Sequence, residues 1–202
     1  MNDTTATLSP RFKDALEFAI SVHAGQARKG TSIPYVAHLL AVCSLVMANG
    51  GSEEQAIAAL LHDSLEDHPE KVSSAEIEQR FGPQVMKLVV ACTDTPADYT
   101  GGPKPPWRDR KVRYLDHIRS AGPEGSIVSL ADKLDNARAI VADYRQIGDM
   151  LWARFSAGKD EQLWYYRELV AAFRQADVRS PMLDELEGLV NELSRLAGIA
   201  GV

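Results

Sequence analysis

Apolar residues recur with helical spacing along nearly the whole chain, and no stretch alternates apolar and polar residues between hairpin turns as strands require. An all-α fold is therefore expected. Ser9 and Pro10 supply an N-cap and a first-turn proline, after which Phe12, Leu16, Ala19, Ile20 and His23 share one face as far as Gly25. A polar, basic turn over residues 25–32 leads to Pro34 and a helix with His38, Val42, Leu45 and Val46 on one stripe, stopped by Gly50 and Gly51. Ser52 and Gln55 form a capping-box pair, in which each side chain satisfies backbone N–H groups left free in the first turn. The helix that follows is expected to carry Leu60, Leu61, His62, Asp63, Leu65, Glu66 and Asp67 without interruption. Ser73 with Glu76 repeats the capping signal for a shorter helix closing at Gly82, and Pro83 opens another with Val85, Leu88, Val89 and Cys92.

Residues 94–107 include Pro96, Gly101, Gly102, Pro103, Pro105 and Pro106, which neither a regular helix nor a central strand accommodates. A long loop is expected there, and loops of that length are often functional. Helical spacing resumes over 107–121 with a strongly basic face, and over 127–144 as an apolar helix interrupted by Asp132, Lys133, Asp135, Asn136 and Arg138. Segments near 149–156, 160–176 and 181–197, the last opened by Ser180 and Pro181, complete a compact multi-helix bundle. The chain has 202 residues, 45% of them hydrophobic, enough for one well-buried core, so a single domain over 1–202 is expected. The apolar side of Met182 to Leu196 suits either that core or a second copy of the chain, which leaves a homo-oligomer open.

Lys and Arg total 22 against 28 for Asp and Glu, a formal net charge of -6 that argues against general binding to nucleic acid or to an anionic membrane. A phosphate-bearing ligand would need a local basic patch. No apolar run approaches the length of a membrane span, and Met1 to Ser9 lacks the regions of a signal peptide, so a cytoplasmic protein is expected. Cys43 and Cys92 both sit in apolar helical patterns, as buried free thiols of a reducing compartment would.

The polar residues inside the apolar helices carry the chemistry. His62 and Asp63 end a strongly apolar run, His38 lies on the apolar side of its own helix, and Asp132 interrupts the core-facing run Ser129-Leu130-Ala131-Asp132. An ionised carboxylate buried without a partner is costly, so Asp132 must be paired or coordinated. Taken singly, His38 reads more readily as a hydrogen-bonded core histidine and Asp132 as half of a salt bridge with Arg138 or a neighbour. Jointly, two imidazoles and two carboxylates on helices built for burial make a nitrogen-and-oxygen ligand set suited to manganese, iron or zinc. Glu66 and Asp67 follow the doublet by one helical turn, placed either to orient and deprotonate a water or simply to end a helix in solvent.

These residues resemble a known family. His38, the His62-Asp63 doublet and Asp132 look like the four metal ligands of HD-superfamily phosphohydrolases. The words His23-Ala-Gly-Gln-Ala-Arg28-Lys29, Pro34-Tyr35-Val-Ala-His38, Ala59-Leu-Leu-His62-Asp63-Ser-Leu-Glu66-Asp67, Phe81-Gly82 and Leu130-Ala-Asp132-Lys-Leu-Asp-Asn136-Ala-Arg138 resemble the hydrolase domain of RelA/SpoT enzymes, over residues 11–176. The resemblance implies a small alarmone hydrolase that removes the 3′-pyrophosphate from guanosine tetra- or pentaphosphate with one Mn2+ ion and a metal-activated water. It further implies that Glu66 and Asp67 are the catalytic acidic pair, and that Arg28, Lys29, Tyr35 and Asn136 contact the nucleotide. A polyphosphate needs cations, and Lys104, Arg108, Arg110, Lys111 and Arg113 form a basic stretch that serves as a patch or as a solvated helix face. Lys159 is a further candidate phosphate contact. Asp135 stands where the family usually has histidine or tyrosine, which leaves guanine and adenine alarmones, or another phosphorylated nucleotide, as substrates. A nucleotide-binding module without catalysis is the reading from another class.

Overall fold

In the computed structural model the described residues are 8–94 and 104–198, and among them there is no strand, only an isolated bridge between Ala27 and Pro34. The all-α expectation holds. The backbone forms two compact units, one within residues 1–102 and the other within residues 103–202.

The first unit is built around α3 (Glu53–Leu61), whose residues Ala56 to Leu61 are all buried. A helix apolar all round has to be covered on every side, and α3 packs against α1 (Pro10–Val22), α2 (Val36–Ala48) and α6 (Pro83–Cys92). Its start is fixed by the Ser52–Gln55 capping box and by Arg11 of α1, which reaches Glu53 at 3.3 Å and Glu54 at 2.7 Å. The turn from α2 is tight: a Cβ on Gly51 would lie 2.4 Å from Val46 Cγ1 and 2.8 Å from the Val46 carbonyl oxygen, so only glycine fits. The α5 helix (Ser74–Phe81) packs on α6, with the Arg80 guanidinium 4.1 Å above the Phe18 ring of α1.

One element differs from expectation. The helix predicted through Asp67 stops at Leu61, and a short α4 (Ser64–Asp67) follows. The cause is local, since His62 Nδ1 lies 2.8 Å from the Ala59 carbonyl that a continuing helix would offer to the Asp63 N–H. The His62-Asp63 doublet thus occupies the junction between two helices, with both residues still in right-handed helical backbone geometry.

In the second unit, α7 (Trp107–Ile147) crosses the gap that the sequence places after Ala121. Gly122 leaves helical geometry at φ 69°, ψ 177°, and Pro123 restarts the helix from its first turn, where a missing N–H costs nothing. The chain continues through a 3-10 helix (Gly148–Arg154) into α8 (Lys159–Gln175) and α9 (Pro181–Leu196), both of which pack on α7. The apolar face of α9, left open above between core and a second copy, is buried through Met182, Leu183, Leu186, Val190 and Leu193. Arg138 pairs with Glu185 of α9 through two contacts of 2.7 Å, not with Asp132. The expected loop over 94–107 lies mostly outside the described residues. No described helix is long and apolar enough to cross a membrane.

Candidate functional site

In the first unit, three polar side chains converge on one carboxylate, that of Asp63. Tyr35 precedes α2 and donates its hydroxyl to Asp63 Oδ2. His38, in the first turn of α2, brings Nε2 to 3.8 Å from the same oxygen, and His62 brings its Nε2 to 2.9 Å. The two imidazoles meet edge to face with ring centroids 5.2 Å apart, and both are buried.

The protonation logic of His62 defines what this cluster can hold. Nδ1 faces a carbonyl, so it carries the proton and Nε2 presents a lone pair in the neutral ring. A lone pair and a carboxylate oxygen 2.9 Å apart are two acceptors, stable together only with a cation, a proton or a metal ion, between or beside them. Two imidazoles and a carboxylate, with His62 oriented by the Ala59 carbonyl and Asp63 by the Tyr35 hydroxyl, are a donor set suited to a divalent ion.

Asp132 is placed in the second unit on α7, buried like the imidazoles and likewise of metal-ligand type. Lys133 Nζ lies 2.6 Å from Asp132 Oδ2, and the Asn136 amide donates to Asp132 Oδ1 at 2.5 Å. Burial alone would push the Lys133 ammonium down, but Asp132 and the rings of Tyr114 and Tyr165 outweigh it and hold the pKa well above the usual lysine range. Asn136, expected at substrate, is thus engaged with Asp132.

Glu66 and Asp67 sit on α4 immediately after the doublet. Glu66 Oε2 accepts from Thr93 Oγ1 at 3.4 Å, whereas Asp67, exposed, accepts from the Gln26 amide at 2.8 Å. Arg28 is half-buried and Lys29 exposed on the turn closed by Arg28 N–H to Ile33 O at 2.8 Å. Lys104 is exposed, and Lys159 is drawn to Asp149 at 3.1 Å. Arg108 chelates Glu161 at 2.8 Å and covers the Trp164 ring at 3.6 Å, so part of the expected basic patch braces its own unit.

Sequence reasoning missed the polar network beside the doublet. His23 and His68 converge on Gln26, and His23 stacks on Tyr35 with centroids 5.2 Å apart. Gln26 stands in the same word as Arg28 and Lys29, but nothing in its spacing shows partners some forty positions away in sequence.

The fold and the doublet agree with a comparison across protein families, in which the HD domain matches residues 15–162. The chain belongs to the HD-domain family. Within it, the chain is similar to the guanosine-3′,5′-bis(diphosphate) 3′-pyrophosphohydrolase MESH1 of Xenopus tropicalis, 36% identical over 128 residues that make up 62% of this chain and 66% of that protein. The MESH1 of Drosophila melanogaster is 31% identical over 133 residues, 64% of this chain and 69% of the fly protein. The chain thus spans about two thirds of the length of these two curated relatives. A solved structure of a metazoan ortholog of SpoT, described as hydrolysing ppGpp with a role in starvation responses, superposes with a TM-score of 0.70 at 26% identity, covering 97% of this chain and 100% of that one.

Proposed function

We propose that this protein hydrolyses the 3′-pyrophosphate of guanosine alarmones: water attacks the phosphorus bonded to O3′, the P–O3′ bond breaks, and pyrophosphate leaves GDP or GTP behind. The observation that carries the reading is the acidic pair Glu66–Asp67 on α4, one turn after a His62-Asp63 doublet whose facing acceptors demand a cation. The names of the MESH1 relatives support the substrate class.

His38, His62, Asp63 and Asp132 are the proposed ligands of one Mn2+ ion, and residues 1–202 the proposed hydrolase domain, in keeping with a family match that runs across position 102. A divalent ion in such a set supplies Lewis acidity and lowers the pKa of the water it binds. Glu66 and Asp67 orient the attacking water and take up its proton, which is returned to the departing O3′ to give the 3′-hydroxyl. Arg28 and Lys29 flank the base, Tyr35 and Asn136 hold the ribose and phosphate side while steadying Asp63 and Asp132, and Lys104 attracts the polyphosphate. Lys159 joins them only by leaving Asp149. The two buried thiols, Cys43 and Cys92, suit a reducing compartment such as the cytoplasm.

Asp135 stands where the RelA/SpoT pattern usually has histidine or tyrosine, so the resemblance does not fix the purine, and the adenine alarmone is the second reading. Comparing kcat/KM on ppGpp and ppApp decides. A higher value for ppGpp sustains the guanine assignment, and equal or better turnover of ppApp overturns it.

A further inference from the structure

Asp67 is exposed, and an exposed carboxylate left to itself samples several rotamers. Here it is held. Gln26 Nε2 donates to Asp67 Oδ2 at 2.8 Å, while Gln26 Oε1 lies 2.6 Å from His23 Nδ1 and 2.8 Å from His68 Nε2. The polarity of these contacts is fixed by chemistry. A carboxylate only accepts, so the amide must turn its NH2 toward Asp67 and its oxygen toward the two rings, each of which must then present an N–H. Flipping the amide would set its oxygen against the carboxylate at 2.8 Å and lose both imidazole donors. His23 in turn is locked: it is buried, its Nε2 accepts from Ser64 Oγ at 3.3 Å, and its face stacks on Tyr35.

We propose that Gln26 is a positioning residue, an amide whose direction is dictated by His23 and His68 and which holds the Asp67 carboxylate in one orientation for the proton transfer. The inference rests on the reading of Asp67 as a catalytic carboxylate. One imidazole, His23, thereby braces both sides of the site, Asp67 through Gln26 and Asp63 through the ring of Tyr35. Misplacing a reacting group by about 1 Å costs on the order of a hundredfold in rate, so an oriented amide is a large lever on turnover and a small one on binding.

Gln26→Met keeps the length of the side chain and removes both ends of the relay. It should lower kcat about ten- to a hundredfold with KM within about twofold, and should have no further effect in an Asp67→Asn background. Additive losses in that double-mutant cycle overturn the proposal, as does a Gln26→Met protein whose kcat is unchanged. A readout independent of turnover comes from nitrogen-15 NMR of the histidine rings in the metal-free protein. His23 is expected as the Nδ1–H tautomer, with its Nδ1–H shifted upfield in Gln26→Met as the hydrogen bond is lost. An Nε2–H tautomer in the wild type means the amide points the other way, and overturns the proposal whatever the substrate. If the wild type turns over neither ppGpp nor ppApp while the tautomers are as described, the functional reading fails and takes the catalytic role of Gln26 with it, although the relay stands.

Discussion

His62 carries two demands at once, a carbonyl on Nδ1 and a carboxylate oxygen on Nε2, and the second is met only by a cation. His62→Ala should therefore abolish metal retention, whereas Glu66→Ala, at a side chain that accepts from Thr93, should retain metal and lose turnover. Metal content by atomic spectroscopy separates the two, and loss of metal from Glu66→Ala would show its role to be misassigned. Tyr35 holds Asp63 from outside the ligand set, and removing such a contact commonly weakens metal binding about 10- to 100-fold. Tyr35→Phe is expected within that range in a metal titration, and an unchanged affinity would place the hydroxyl outside the site's energetics. Burial, only partly offset by Gln26, lowers the pKa of His23 below its usual 6.5. The folded state thus binds the proton less readily than the unfolded one, so this stability is full above about pH 6.5 and is lost as pH falls through the folded pKa. Denaturant unfolding of His23→Gln should show a shallower fall over that window than the wild type. An equal slope would mean that His23 carries none of it.

Helix starts were legible because caps are local. Ser9, the Ser52–Gln55 box, Ser73 and Ser180 each cap where the sequence places them, within two or three residues of the groups they bond. The break after Leu61 was not legible, since Leu60, Leu61 and Leu65 continue an apolar pattern and the interruption comes from one side chain turning back on Ala59. For the same reason Gln26 escaped notice, its partners Asp67 and His68 being brought to it by the fold from some forty positions away. The turn between α2 and α3 sets the distance from His38 to His62, and it depends on Gly51 lying against Val46. Gly51→Ala should destabilise the protein by about 1–3 kcal/mol, as overpacked sites do. Chemical denaturation that shows no loss would mean the turn relaxes freely and does not constrain the site.

At the scale of the whole molecule, the all-α class was readable from helical apolar spacing, and the burial of His38, His62 and Asp132 from their place inside apolar runs. The engagement of Asn136 and Lys133 with Asp132, and of Arg108 with Glu161, was not, because polar residues in a helix show neither their partner nor their direction in one dimension. To act on a polyphosphate, a chain of net charge -6 must concentrate cations locally, and Arg28, Lys29 and Lys104 are exposed or half-buried candidates for that role. Ligands drawn from residues as far apart as His38 and Asp132 would couple metal to folding. Manganese at about a hundred times its Kd should then add about 2.7 kcal/mol of stability, and Asp132→Ala should forfeit most of that gain in thermal unfolding. The most direct test of the central claim is to strip the protein of metal and incubate it with ppGpp, with and without manganese, resolving the nucleotide and phosphate products. Manganese-dependent release of GDP and pyrophosphate is expected. Release of single phosphates, or no turnover in protein shown to hold the metal, would contradict it.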